Sequence, residues 1–175
     1  MGDCDPDASL ARSIVRGPGD GEVVSLGDAG DVTLKAVGAE TGGNLAIYEF
    51  SMPPSTAGPP EHLHRSWDEA FIVLDGEMTF LIDGETHLAP AGSVVFIPRG
   101  VPHTFWNAGD APARQVTVFT PAGIEHYFRD VTAVLAAGGE ASLDAAVALM
   151  GRHDMVVSAS DRGGYGALSS RAETG

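Results

Sequence analysis

Two histidines and a carboxylate stand close together in the stretch PPEHLHRSWDEAFIVLDG, which runs from residue 59 to residue 76. His62 and His64 are separated by one residue, so an extended chain points both imidazoles to the same side. Glu69 begins the apolar run EAFIVL, which predicts a strand. Two imidazoles and a carboxylate that converge at one place suit a divalent transition metal such as Fe, Ni, Mn, Co, Cu or Zn.

A second stretch, GSVVFIPRGVPHTFWN, supplies a third histidine. Pro98 and Gly100 predict a turn just before His103. Taken alone, a histidine pair at this spacing is more often two solvated side chains than a metal site. The combination with Glu69 and His103 favours a metal site.

The spacing within both stretches resembles the two conserved motifs of the cupin superfamily. The first stretch reads H-x-H-x4-E-x6-G, and the second reads G-x5-P-x-G-x2-H-x3-N. The family often has glycine six residues before the first histidine, where this chain has Thr56. The resemblance covers about residues 40–121. It implies a double-sheet jelly-roll barrel that holds one metal through His62, His64, Glu69 and His103.

The charge balance of the chain argues against several classes of partner. Its 175 residues carry 10 lysines and arginines against 24 aspartates and glutamates, a formal net charge of −14. Phosphate backbones and anionic lipid would repel such a chain, so we expect neither nucleic acid nor a membrane surface as a partner. The first ten residues lack the basic and apolar regions of a signal peptide, and the single cysteine, Cys4, has no second cysteine for an internal disulfide. We therefore expect a cytoplasmic protein.

Short strands are predicted over most of the chain. Runs rich in Val, Ile, Phe and Thr follow one another from residue 22 to residue 120, and turn residues separate them. Asp75-Gly76 and Asp83-Gly84 are both typical of hairpin turns. This pattern predicts an all-β fold, in agreement with the jelly roll that the resemblance implies. We expect a flexible N-terminal segment at 1–20, the barrel at 21–121, helices packed on the barrel at 122–157 and a flexible tail at 158–175.

Two α-helices are predicted after the barrel. Ser142 is a good N-cap for the second, which should end near Met150. An apolar helical stripe usually packs on a core, so helices that cover an open flank of the barrel are the favoured interpretation, and a lid at its mouth is the alternative. The first helix should end at Gly138-Gly139, and its stripe consists of Ile124, Tyr127, Phe128, Val131 and Leu135.

Strand alternation also predicts the walls of a cavity around the metal. Walls of Phe and Val suit a mostly apolar, aromatic substrate. The competing interpretation is that inward aromatic side chains are simply the core of a small barrel. The candidates for substrate contact are strand residues on inward faces: Tyr48, Phe50, Phe71, Val73, Phe80, Phe96, Phe105 and Phe119.

Glu69 has two alternative roles in such a site. It can remain a fixed metal ligand, or it can detach and act as the general base that takes a proton from the substrate. Structural zinc usually has four Cys or His ligands, so three histidines and a carboxylate predict a metal with open positions. An open metal polarises an oxygen-bearing substrate as a Lewis acid, and a redox-active one also takes part in oxygen chemistry.

Three functions fit these features. The segment TPAGIEHYFRDV resembles the region that follows the barrel in bacterial cupins similar to quercetin dioxygenases. That resemblance implies a dioxygenase acting on an enolisable aromatic or polyketide-type molecule. The alternatives are a non-oxidative cyclase, isomerase or lyase that uses the same metal, and a cupin that only binds a small molecule or a metal. We also expect a homodimer, because sheet edges need covering and cupins commonly pair by their sheets.

Overall fold

The computed structural model describes residues 13–136 and 143–158 of the chain. Residues 1–12, 137–142 and 159–175 lie outside the described residues, and with them most of both predicted flexible ends, the predicted helix end at Gly138-Gly139 and the predicted N-cap Ser142. The elements, in chain order, are β1 (Glu22–Ser25), β2 (Asp31–Ala36), α1 (Gly38–Thr41), β3 (Ala46–Met52), β4 (His62–His64), β5 (Asp68–Asp75), β6 (Glu77–Ile82), β7 (Glu85–Pro90), β8 (Val94–Ile97), β9 (His103–Trp106), β10 (Ala113–Thr120), α2 (Ile124–Ala136), α3 (Leu143–Arg152) and β11 (Met155–Val157).

The strands form two antiparallel sheets with a shared apolar core. One sheet has the order β1-β2-β3-β10-β5-β8 and the other has the order β11-β4-β9-β6-β7. Inward residues alternate with outward ones, as in β10, where every second side chain from Ala113 to Phe119 is buried. Large buried side chains from both sheets, including Phe50, Phe71, Phe80 and Phe105, fill the interior. The predicted all-β jelly roll with two C-terminal helices is confirmed, while the short helix α1 and the last strand β11 were not predicted.

The two predicted hairpin turns have different outcomes. Asp83 and Gly84 have φ angles of 48° and 81°, and they join β6 to β7 with Ile82 opposite Glu85. This is the two-residue hairpin that the sequence predicts. The hairpin prediction for Asp75-Gly76 is wrong, because β5 and β6 belong to different sheets. That turn is a corner at which the chain passes from one sheet to the other.

Side-chain contacts tie the C-terminal helices to the barrel. The buried carboxylate of Glu125 accepts hydrogen bonds from the backbone N–H groups of Gly38 and Gly123, both at 2.8 Å. Arg129 on α2 pairs with Glu22 on β1 at 2.6 Å. β11 continues directly from the end of α3 and pairs with β4. None of the helices in the described residues is both long and apolar enough to span a bilayer.

Candidate metal centre

Three buried histidines converge between the two sheets. His62 and His64 lie on β4 with both rings inward, and His103, the first residue of β9, stands opposite His62 in the register. One ring nitrogen from each histidine can be chosen so that all three lie within 4.8 Å of one another. The predicted convergence of these three residues is therefore present.

The turn before His103 is attached to the first histidine strand. The backbone N–H of Gly100 donates to the carbonyl of His64 at 2.7 Å. Arg99 donates from its backbone and its guanidinium to Asp68, the residue next to Glu69. These hydrogen bonds from Arg99 lower the pKa of Asp68 to about 2. The two stretches that carry the motifs are thus held together by backbone and side-chain contacts around the site.

Gly58, rather than the position of Thr56, provides the close approach at the entry to β4. A Cβ atom at Gly58 would lie 1.6 Å from the carbonyl oxygen of Phe105, so no other residue fits there without movement of the backbone. The Asn107 amide, which ends the second motif, has a structural role. It is buried and donates to the carbonyls of Pro53 and Ala111 at 2.9 and 2.8 Å.

Backbone carbonyls fix the tautomer of two of the histidines. Nδ1 of His62 lies 2.8 Å from the carbonyl oxygen of Pro60, and Nδ1 of His103 lies 2.9 Å from that of Val101. A carbonyl only accepts, so Nδ1 carries the proton in each ring and Nε2 is the nitrogen that faces the centre. Metal-binding histidines are usually oriented in this way.

His64 has a different environment, which tests whether the centre fits a metal. The ring is buried and makes no hydrogen bond to any described residue through either nitrogen, although Nε2 lies 3.3 Å from Oε2 of Glu69. A buried polar atom without a hydrogen bond is costly unless another group satisfies it. A metal bound at Nε2 would do so, and the donor set of imidazoles and one carboxylate suits a transition metal.

Glu69 brings its carboxylate from the opposite sheet into contact with two of these rings. Its Oε2 lies 3.1 Å from Nε2 of His103 and 3.3 Å from Nε2 of His64. Burial would raise the pKa of Glu69, but the contacts with His103 and His64 outweigh it and lower the pKa to about 2. Glu69 is therefore ionised at neutral pH.

The pKa values of His103 and His62 shift in opposite directions. Burial would lower the pKa of His103, but the contact with Glu69 outweighs burial and raises it. His62 has no such contact to offset its burial, and burial together with the neighbouring His103 and His64 lowers its pKa to about 3. His62 is therefore neutral at physiological pH, in the form that a metal ligand requires.

A cavity of about 200 Å³ opens beside this cluster, and its lining is mostly apolar. His62, His64 and Glu69 form its polar floor. No lysine or arginine is among its lining residues in the described part of the chain. The predicted contact residues that line the cavity are Tyr48, Phe50, Phe105 and Phe119.

The other predicted contact residues lie elsewhere. Phe71, Val73 and Phe80 are buried in the barrel core and are not part of the lining, in keeping with the competing interpretation of inward aromatics as core. Phe96 is 62% exposed, on the outer face of its sheet. The inward prediction for Phe96 is wrong because the alternation of β8 buries Ile97, its neighbour.

Part of the cavity wall comes from the C-terminal helices, which the favoured interpretation placed on a flank of the barrel and the alternative placed at its mouth. Ile124, Tyr127, Phe128 and Val131, all from the predicted helical stripe, line the cavity. Helix α2 therefore borders the cavity directly, and its action as a lid stays a prediction. Strand β11 adds Met155. The remaining lining residues belong to α3 and to loops: Leu26, Ala29, Ala57, Gly58, Pro59, Pro60, Ala146 and Met150.

Two aromatic side chains support the floor and the wall. Trp67 is buried, and its ring centre lies 5.5 Å from that of His64, so it packs against this histidine. Tyr48 packs against Phe119 and Phe128, at ring distances of 5.8 and 4.9 Å. Burial, with a further contribution from the charge of Glu69, raises the pKa of Tyr48. Tyr48 is therefore protonated at neutral pH.

The chain was compared with known protein families and solved structures. Residues 48–119 match the model of the family described as a cupin domain. This chain contains a cupin domain. A solved structure with the same fold is an RmlC-like cupin from Shewanella frigidimarina NCIMB 400, with a TM-score of 0.56 and 19% identity over 67% of this chain and 98% of that one.

Curated proteins that are similar to part of this chain differ in their described roles. Quercetin 2,3-dioxygenase of Bacillus subtilis is 36% identical over 42% of this chain and 21% of its own length. The transcriptional regulator PuuR of Escherichia coli is 30% identical over 57% of this chain and 54% of its own. The tetracenomycin polyketide synthase protein TcmJ of Streptomyces glaucescens is 30% identical over 51% of this chain and 58% of its own. The matched part of the chain thus covers between 21% and 58% of the length of these three relatives.

Proposed function

We propose that this cupin domain binds one divalent transition metal through His62, His64, His103 and Glu69, and that it is a dioxygenase of uncharged, enolisable aromatic or polyketide-type molecules. The observation that carries the proposal is the buried three-histidine cluster, in contact with a buried carboxylate, at the floor of an apolar cavity. Fe, Ni, Mn, Co, Cu and Zn all accept this donor set. The metal, when bound, would supply a Lewis acid and, if it is redox-active, the electron chemistry that dioxygen requires.

Glu69 and Tyr48 provide the proton-transfer groups of the proposed reaction. Glu69 is ionised and lines the cavity, so it accepts the proton of an enol or phenol that enters. Tyr48 remains protonated and lines the same cavity, so it donates a hydrogen bond to an oxygen of the substrate. The apolar walls exclude water from this proton transfer.

The cavity favours an uncharged substrate. An anionic group buried beside the ionised Glu69 would have no lysine or arginine to pair with among the described lining residues. Aromatic rings of Phe50, Phe105 and Phe119 offer edges and faces to an aromatic or polyketide-type molecule. The similarity to the Bacillus subtilis quercetin 2,3-dioxygenase supports such a substrate and the use of dioxygen.

Oxygen consumption tests the proposed activity. Protein purified without chelators or a metal-binding tag is analysed for metal, then depleted and reloaded with each of the six metals separately. Flavonols such as quercetin are the first substrates, because one relative is described by its action on quercetin. We expect oxygen uptake equal to substrate loss with at least one metal, and neither with metal-free protein. Substrate loss at an unchanged rate without oxygen would contradict dioxygenase activity.

A non-oxidative enzyme is the second candidate, and the presence of both a base and an acid in one cavity favours it. Glu69 as proton acceptor and Tyr48 as proton donor can enolise and reprotonate a carbonyl compound without dioxygen. The similarity to TcmJ supports polyketide-type substrates for this reaction. Turnover under nitrogen that is lost in Tyr48→Phe would establish it. Nucleic acid is not a proposed partner despite the similarity to PuuR, because the net charge of −14 repels phosphate.

A further inference from the structure

The cavity beside the metal centre has an outer end, where its lining residues are only partly buried. On the helical side these residues are Tyr127, Val131 and Ala146, whereas the other lining residues of α2 and α3 are buried. The three are called the helical rim below. The remaining partly exposed lining comes from segments at 26–29 and 57–59. In the described part of the chain this outer lining includes no charged side chain, although 19% of the whole chain is charged.

Residue spacing along the two helices directs the helical rim into the cavity. Tyr127 and Val131 are four residues apart on α2, and Ala146 precedes the buried Met150 by four residues on α3. Residues four apart lie on the same face of a helix, so each helix presents one stripe to the cavity. Ala148 lies on another face of α3, where it is exposed and outside the lining. Ala146 has the smallest side chain of the rim, so it leaves the most room at the outer end.

Contacts with neighbouring side chains fix the ring of Tyr127. Its centre lies 5.5 Å from that of Phe128 and 5.7 Å from that of His153, in an edge-to-face arrangement with the histidine. His153 belongs to the turn between α3 and β11, and its Nε2 lies 2.9 Å from Oδ2 of Asp130 on α2. A ring that is already held in place loses little conformational entropy when a ligand packs against it, which favours binding.

The volume of the cavity limits how much of a substrate it can hold. The cavity measures about 200 Å³, whereas an apolar cavity of about 150 Å³ binds benzene and pockets for drug-sized ligands begin at about 300 Å³. One substituted ring therefore fits, and the three rings of a flavonol do not. In the proposed reaction the enol or phenol oxygen faces the floor, where His62, His64 and Glu69 lie. The rest of a larger substrate then extends past the outer end.

We propose that the helical rim is a second subsite, which binds the non-reacting aromatic or apolar part of a substrate with more than one ring. This assignment rests on the proposed function, because it requires the enol end of the substrate to lie at the metal. Tyr127 offers its ring to the outer part of the substrate, and Val131 adds apolar contact. Ala146 sets the size of the group that can pass, so it determines specificity.

Binding of two probes of different size tests this proposal. 2′-Hydroxyacetophenone has one ring and 3-hydroxyflavone has three, and both offer a hydroxyl and a carbonyl oxygen to a metal. Their dissociation constants are measured by calorimetry on zinc-loaded protein under nitrogen. In Ala146→Phe the affinity for 3-hydroxyflavone should fall by roughly 10- to 100-fold, the value of burying one aromatic ring. The affinity for 2′-hydroxyacetophenone should stay at its native value.

Ala148→Phe is the matched control, because it adds the same side chain to the same helix outside the cavity. This control should change neither affinity. Tyr127→Ala should weaken the binding of 3-hydroxyflavone alone. If circular dichroism shows that Ala146→Phe does not fold, Ala146→Leu takes its place.

Three results would overturn the subsite: native affinity of Ala146→Phe for 3-hydroxyflavone, an equal loss of both probes in that variant, or a native protein that binds neither probe. The activity is judged separately by oxygen uptake. Selective probe binding without oxygen uptake on any substrate would reject the dioxygenase and keep the subsite. Oxygen uptake on large substrates that Ala146→Phe leaves unchanged would keep the dioxygenase and reject the subsite.

Discussion

Oε2 of Glu69 lies 3.1 Å from Nε2 of His103, and these two residues come from opposite sheets of the barrel. The carboxylate reaches across from β5, whereas the histidines stand on β4 and β9. A metal that binds this donor set therefore connects the two sheets directly. Loss of a ligand should affect both the chemistry of the centre and the stability of the barrel.

Glu69→Gln separates the role of a base from that of a ligand. Glutamine keeps the size of the side chain and a carbonyl oxygen, and three histidines are enough to hold a catalytic metal. If Glu69 acts as the general base, the variant should keep most of its metal and lose about 10²–10⁴-fold in turnover per bound metal. Metal analysis and turnover are measured on the same sample. Native turnover per metal would exclude the role of base.

Replacement of His62 and His64 together by alanine should abolish stoichiometric metal binding. The native protein should gain thermal stability when metal is added, because a ligand that binds only the folded state raises the free energy of unfolding. The double variant should fold but show no such gain. His87→Ala is the matched control, since the His87 side chain is 50% exposed and lies outside the cluster. Full metal content in the double variant would refute the assignment of the ligands.

Gln115→Met should make the protein more stable. The amide of Gln115 is fully buried in the barrel, and within the described part of the chain neither its nitrogen nor its oxygen makes a hydrogen bond. A buried polar group in this state costs about 1–3 kcal/mol, and methionine has nearly the same shape without that cost. We expect the free energy of unfolding in urea to rise by about 1 kcal/mol. A fall instead would mean that an ordered water satisfies the amide.

Glu22→Gln should show a stability effect that depends on pH. The hydrogen bond from Arg129 lowers the pKa of Glu22 below its ordinary value of 4.5. Because the folded-state pKa is the lower one, this stabilisation is present above about pH 4.5 and disappears as the pH falls through the folded-state value. Both side chains are about half exposed, so the variant should lose at most about 1 kcal/mol at pH 7.

Urea unfolding at pH 7 and at pH 3 measures this effect. The difference between Glu22→Gln and the native protein should be largest at pH 7 and small at pH 3, and it should shrink in high salt. Glu77→Gln, at an exposed carboxylate on β6, is the control for the loss of one negative charge. An equal difference at both pH values would show that Glu22 acts through packing.

The metal-site residues could be predicted because their geometry is local. One intervening residue places His62 and His64 on the same face of a strand, whatever the rest of the fold does. The turn at Pro98 and Gly100 precedes His103 in the sequence and in the structure. The contact between Glu69 and His103 depends on how two sheets pack, and only the resemblance to a family anticipated it.

Phe96 shows why the side-chain direction of a strand could not always be predicted. The run SVVFI is apolar at almost every position, so its sequence does not distinguish the inward face from the outward face. The structure buries Ile97, which stands opposite the inward Glu69, and exposes Phe96, which stands opposite Ala70. The contribution of β11 to the cavity was missed for a different reason, since β11 has only three residues and three residues show no reliable period.

The pairing of β11 with β4 has a consequence for the order in which the protein is made. Met155 lies opposite His64, so the strand that covers the edge of the histidine strand is synthesised about 90 residues after it. At a synthesis rate of about 5–20 residues per second, this edge of β4 stays uncovered for roughly 5 to 20 s. During this interval the histidine strand is open to pairing with other nascent chains. The free edge of the histidine strand is therefore covered only after the last part of the described chain has been made.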